Sequence, residues 1–163
     1  MWRIMAILGG VSGAVALSQF PEFSQQYLQR LAGKAEALAQ VTAEFDATAA
    51  KNGLTREAAL LALVGSQVAL DHQADLRNDF ARSATLSENL TTLRAASPLA
   101  RLTMPQRFGD TEMLQATWAD FRPAIPATSD GVVTAAIGYA LGWGGMAGLF
   151  GLLTRPFRRR RLG

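Results

Sequence analysis

Residues Val132 to Leu153 read VVTAAIGYALGWGGMAGLFGLL, and this uncharged stretch runs straight into Thr154-Arg155-Pro156-Phe157 and the cluster Arg158, Arg159, Arg160 and Arg161. At about 1.5 Å of rise per residue, a helix of this length covers roughly 33 Å, enough to cross a bilayer core with some tilt. Five of the last nine residues are arginine, so the natural reading is a transmembrane helix held at its cytoplasmic end by positive charge. The sequence says more about where the protein resides than about what it does there.

A second uncharged segment lies at the other end, from Ile4 to Phe20. As a helix it would reach roughly 26 Å, the short end for a span. A signal peptide is the rival reading, since Arg3 gives a positive start and Ala14-Val15-Ala16 has the small-x-small form of a cleavage site. The glycine content, shared in style with Val132–Leu153, favours an uncleaved anchor. Trp2 fits an interfacial aromatic anchor, whereas Tyr139 and Trp143 lie deeper and are expected to contact another helix.

Charge is segregated along the chain. All thirteen acidic residues and ten of the sixteen basic ones fall between Pro21 and Asp130, leaving that section about −3 while the whole chain is +3. A nucleic-acid footprint would put basic charge on the folded domain, so nucleic acid is not an expected partner. With no cysteine, disulfides, thiolate nucleophiles and cysteine-ligated metals are excluded.

Small residues recur four apart in both apolar segments: Ala6, Gly10 and Ala14, or Gly9 and Gly13, in the first; Gly138 and Gly142, or Gly144 and Gly148, in the second. Such spacing lets helix backbones approach closely in lipid, where packing holds helices together. Gly9, Gly10, Gly13, Gly138, Gly142, Gly144 and Gly148 are thus the helix-packing candidates. The basic residues flanking each segment point both termini to the cytoplasm of a bacterial inner membrane and the middle section to the periplasm.

The middle reads as helix throughout. Pro21 interrupts the chain, and Glu22 to about Asn52 carries Tyr27, Leu31, Leu38, Val41 and Phe45 at helical spacing. Asn52-Gly53 supplies a stop and Thr55 an N-cap, so a second long helix is expected from Arg56 to Ala95, with any break around Ala81 to Ser87. The two would form an antiparallel hairpin. Ser97-Pro98 opens a short helix, Asp110 caps another reaching about Phe121, Pro123 and Pro126 stiffen the return, and Asp130 is placed to cap the second span. The fold class is all-α: two transmembrane helices flanking an extramembrane antiparallel helical hairpin plus short helices. Its sections are 1–20 and 131–154 as spans, 21–130 as the periplasmic domain and 155–163 as a basic cytoplasmic tail.

Catalytic signals are weak. Asp71, Asp75 and Asp79 share one helix face beside His72, yet a single histidine and no cysteine do not suit zinc, and rigid helix positions rarely wrap calcium. The cluster reads as a solvated face with salt bridges to Arg30, Lys34, Arg77 and Arg82. No phosphate loop, dinucleotide fingerprint, nucleophile elbow or HExxH helix occurs, so no cofactor, metal or catalytic residue is assigned.

The stretch Ser18-Gln19-Phe20-Pro21-Glu22-Phe23 with Gln25 to Leu31, then Phe45-Asp46, Gly53 to Arg56, Asp120 to Pro126, and Gly138 through Gly142-Trp143, resembles domain-of-unknown-function family 2937, small proteobacterial membrane proteins. The resemblance implies the two-span layout and brings no activity or site with it.

Partner contacts are expected from Gln25, Gln26, Tyr27 and Gln29 just outside the first span, from Phe121 and Arg122 returning beside them as a collar, and from Tyr139 and Trp143. Arg155, Arg158, Arg159, Arg160 and Arg161 are candidates for anionic lipid headgroups at the cytoplasmic face. These features suggest a non-catalytic accessory, assembly or scaffold subunit of a larger membrane complex, with an energy-transducing complex as the leading case. The alternative is a self-assembling envelope protein whose basic tail binds anionic lipid.

Overall fold

Pro21 lacks the amide proton that would continue the helical ladder to Leu17, and the chain yields just before it. Helix α1 (Trp2–Ser18) stops at Gln19, and α2 (Phe20–Lys51) begins at once. The interruption is small: Gln19 N donates to Ala16 O at 3.3 Å and Phe23 N donates to Gln19 O at 2.9 Å. The structure is a computed structural model and describes residues 2–123 and 128–158, the last five as backbone alone.

The α2 C-terminus closes as its sequence demands. Gly53 adopts φ +68°, Leu54 N reaches Ala49 O at 3.0 Å and Gly53 N reaches Ala50 O at 3.0 Å, a Schellman closure. Thr55 then caps α3 (Arg56–Leu61), its hydroxyl accepting from Ala58 N at 3.2 Å. The expected long second helix is broken, and not where Ser and Thr accumulate. Gly65 at φ +108° turns the chain, and Ser66 caps α4 (Gln67–Ala95) by accepting from Ala69 N at 3.2 Å. Helix α4 runs unbroken through Ala81–Ser87 because Thr85 Oγ1 bonds back to Ala81 O and so turns its polarity onto the helix itself.

Pro98 starts α5 (Pro98–Arg101), a 3₁₀ turn follows at Pro105–Phe108, and α6 (Thr111–Ala119) is capped by Asp110, whose Oδ1 accepts from Met113 N at 3.0 Å. The last helix, α7 (Ser129–Arg158), is capped by Thr128 and not by Asp130: Thr128 Oγ1 accepts from Gly131 N at 3.1 Å. Asp130 sits in the first turn, still at the positive end of the helix dipole. The fold is all-α, and among the described residues there is no strand.

Two compact units divide the chain, and their limits differ from boundaries drawn along the sequence. One comprises 1–26, 98–105 and 116–163; the other comprises 27–97 and 106–115. In the first, α1 and α7 lie against each other. In the second, Tyr27, Leu28, Leu31, Ala35 and Ala49 are buried along α2, and Leu76, Phe80, Leu86 and Leu93 along α4. With Leu38, Thr42 and Phe45 half-buried between them, Leu28, Leu31, Ala35 and Ala49 follow spacings of three and four, the repeat of a coiled-coil seam. Val41, expected in the stripe, falls outside that repeat and is 42% exposed, so it does not belong to the buried face. Phe45 of α2 meets Phe80 of α4 at 5.2 Å, and Leu60, Leu63 and Leu76 close around them.

Candidate interaction site

Glycine decides the contact between α1 and α7. A Cβ on Gly9 would lie 2.8 Å from the Gly142 carbonyl oxygen, and Cβ atoms on Gly13, Gly138 and Gly142 would overlap the facing backbone at Gly138, Gly13 and Gly9 respectively. The two pairs, Gly9 with Gly142 and Gly13 with Gly138, run in opposite directions along the two helices, so the helices are antiparallel. Gly10 completes the seam: its missing Cβ makes room for the Tyr139 ring, which lies 2.8 Å from that position. Tyr139 therefore contacts another helix of this chain, as expected. Between α1 and α7 the driving force is close backbone packing.

Gly144 and Gly148 do not join this seam. Nothing of the described chain lies within 4 Å of a Cβ at either position, nor at Gly145 or Gly151. Their spacing matches that of Gly138 and Gly142, but they lie on another face of α7. Trp143 is likewise 43% exposed.

Outside the seam, the first turns of α2 meet the returning chain as the collar reading expects. Gln26 Nε2 donates to Arg122 O at 3.4 Å and to Glu22 Oε1 at 2.9 Å. Phe23 packs edge-on against Phe121 at 5.7 Å and Trp118 at 6.0 Å. Arg101 is buried there and donates to Ser24 Oγ at 3.3 Å; burial pulls its pKa below the ordinary arginine value. Gln25 and Gln29 are exposed and remain available to a partner. Tyr27 is not: at 1% exposure it packs on Phe108 at 4.7 Å, and burial, then the Asp110 charge, raise its pKa. The packed interior of the second unit has claimed it.

An ion-pair network lies in the second unit. Arg82 Nη2 donates to Asp110 at 2.6 Å and Glu112 at 3.1 Å, while Lys34 Nζ donates to Glu112 at 2.7 Å. Partial burial works to raise the Asp110 pKa, but the Arg82 and Met113 hydrogen bonds and the charges of Arg82 and Lys34 outweigh it and hold the carboxyl below its usual range. Hydrogen bonds from Lys34 and Arg82 lower Glu112 in the same way.

Three of the cations expected at the Asp71 stripe pair elsewhere. Lys34 and Arg82 are committed as above, and Arg77 pairs with Glu57. Asp71 instead accepts from Gln67 Nε2 at 2.8 Å, and His72 and Asp75 are exposed. Among the described residues no group of His, Cys, Asp or Glu is arranged to hold a metal ion. The side chains of Arg155 and Arg158, and the whole of Arg159, Arg160 and Arg161, lie outside the described residues, as does Pro126.

Two helices of this chain are long and apolar enough to cross a membrane, within Trp2–Lys51 and at Ser129–Leu153. A soluble protein hides such segments in its core, but here only 17% and 6% of the most apolar windows are buried inside the protein. An all-α chain with two such helices, seamed by glycine and carrying further helices, is the class the fold defines. The chain belongs to the family described as Protein of unknown function (DUF2937), whose model matches residues 1–159. No curated protein and no solved structure matches it.

Proposed function

We propose that this protein is a non-catalytic accessory, assembly or scaffold subunit of a larger complex in the bacterial inner membrane. Both termini face the cytoplasm, the middle section lies in the periplasm, and the arginine tail meets anionic lipid at the cytoplasmic face. The antiparallel α1/α7 seam supports a common side for the two termini, and the arginine cluster supports the cytoplasm as that side. An energy-transducing complex is the leading partner.

One observation carries the reading. After the internal seam has used Gly138 and Gly142, α7 still presents Gly144, Gly145 and Gly148 with open space before them. Glycine in a spanning helix sacrifices contact with lipid, and its compensation is close approach of another helix. The exposed Gln25 and Gln29 extend the same logic beyond the membrane.

The second reading, a self-assembling envelope protein, rests on the same face, because Gly144 and Gly148 have the spacing by which identical helices dimerise. Gentle detergent extraction of a tagged chain, followed by native sizing and mass spectrometry of what is retained, separates the two. A fixed ratio to a larger complex is the expected result. A homo-oligomer by itself supports the second reading, and turnover of an added envelope substrate overturns both.

A further inference from the structure

Trp118 is 71% exposed although it stands in an aromatic cluster. Phe121 stacks against it at 6.2 Å with the rings 15° apart, and Phe23 meets it edge-on. Leaving an indole in water forgoes about 2 to 3 kcal/mol of burial. The cluster's height relative to the spans indicates what covers it.

That height follows from the seam. Gly9 is opposite Gly142 and Gly13 opposite Gly138, so the same register extended outward sets Phe20 level with Gly131, immediately before the uncharged stretch. With α1 and α7 read as spans, this level is the outer edge of the hydrocarbon. Phe23, bonded to Gln19 O as in a regular helix, stands three residues beyond Phe20, about 4.5 Å further out. The headgroup layer occupies about 5 to 8 Å on each side of the hydrocarbon core. Phe23, and with it the Trp118 ring, falls inside that layer, where tryptophan concentrates in membrane proteins.

The surrounding polar groups suit the same location. Arg122 follows Phe121 directly and is exposed, and its backbone carbonyl accepts from Gln26, which sets a guanidinium next to the aromatic cluster in the chain. Asp120, the nearest acid in sequence, is engaged within the protein.

We propose that Phe23, Trp118 and Phe121 form a wedge seated in the headgroup layer of the leaflet opposite the arginine tail, with Arg122 on lipid phosphate. The occupant is a phospholipid surface. The inference rests on reading α1 and α7 as spans and goes beyond it, because it gives the chain a third membrane contact, made by the end of a short helix that does not cross.

The test uses the full chain with Trp2→Phe and Trp143→Phe, which leaves Trp118 as the sole tryptophan. It is reconstituted in phosphatidylcholine–phosphatidylglycerol vesicles carrying bromine either near the glycerol end of the acyl chains or at their tips. The expected result is blue-shifted emission that shallow bromine quenches most and that iodide, present on both sides, hardly reaches. Emission quenched by iodide and indifferent to bromine means the ring is in water, and overturns the wedge. Blue-shifted emission indifferent to both means protein covers it, and also overturns the wedge.

A parallel chain with Trp2→Phe and Trp118→Phe reports on Trp143 inside α7. Deep quenching of Trp143 without quenching of Trp118 removes the wedge and leaves the spans standing. Loss of both signals, with release of the chain from vesicles by alkaline washing, removes the spans as well.

Discussion

The α1/α7 seam and the core of the Tyr27–Ser97 unit are built by opposite means. In the seam four glycines bring backbone against backbone, and a tyrosine ring lies over Gly10. In the other unit Tyr27, Leu31, Leu60 and Leu93 are all but inaccessible, and ion pairs rim them. The difference follows from the solvent each is suited to. Water rewards hiding large apolar groups, whereas lipid is as apolar as leucine and leaves only closeness of fit to distinguish the right neighbour.

Replacing a glycine of the seam is the most damaging way to break this contrast. Gly138→Leu puts a side chain where the Gly13 backbone already lies, and neither helix can yield without losing the contact; a cost of about 3 kcal/mol or more is expected. Thermal unfolding in mild detergent checks it, and a midpoint equal to wild type would refute the seam. In the other unit the damage comes from making a residue smaller. Leu93→Ala should cost about 2 to 5 kcal/mol, read from the far-ultraviolet circular dichroism transition.

A smaller effect tests the ionic rim. Because the Asp110 pKa is depressed in the folded chain, its contribution is present above the ordinary aspartate value, near pH 4, and fades as pH falls through the lower folded value. Asp110→Asn keeps a good N-cap and removes the charge, so stability should be lower at neutral pH and its acid dependence flatter. A series of melting curves against pH decides this, and unchanged acid sensitivity would assign the dependence to other carboxyls.

The least effect on the fold is expected from Gly144→Leu, since the new side chain enters open space; stability should stay within about 0.5 kcal/mol of wild type. Retention of a partner, or of a second copy, should fall sharply all the same. If neither fold nor association responds, the outer glycine face is only lipid-facing helix, and the accessory reading loses its main support.

Much of this was readable in the residues. Gly53, Thr55, Pro98 and Asp110 act as their chemistry predicts, because a left-handed stop, a cap or a proline at a helix start is a local matter. Gly65-Ser66 carries the same kind of signal, but in the sequence pattern the long proline-free run outweighs it. Spacing alone does not separate Gly138/Gly142 from Gly144/Gly148, since both pairs are four apart and the choice depends on where α1 lies. Val41 and Tyr27 fail for a related reason. The buried α2 stripe includes Ala35 and Ala49, whose small size makes them poor markers of a buried face, so the larger Val41 is drawn into the pattern; Tyr27 lies both on the stripe and in the Gln-rich band outside the first span, and its burial decides for the stripe.

Backbone-on-backbone contact also limits how this protein can change over generations. A truncated leucine can be offset by a larger neighbour, but a Cβ introduced at Gly13 or Gly138 meets a peptide group that no substitution can shrink. A search for second-site suppressors of Gly138→Leu should therefore return reversion to a small residue and little else. In descendants of this chain, those positions would act as fixed pins while the residues around them drift.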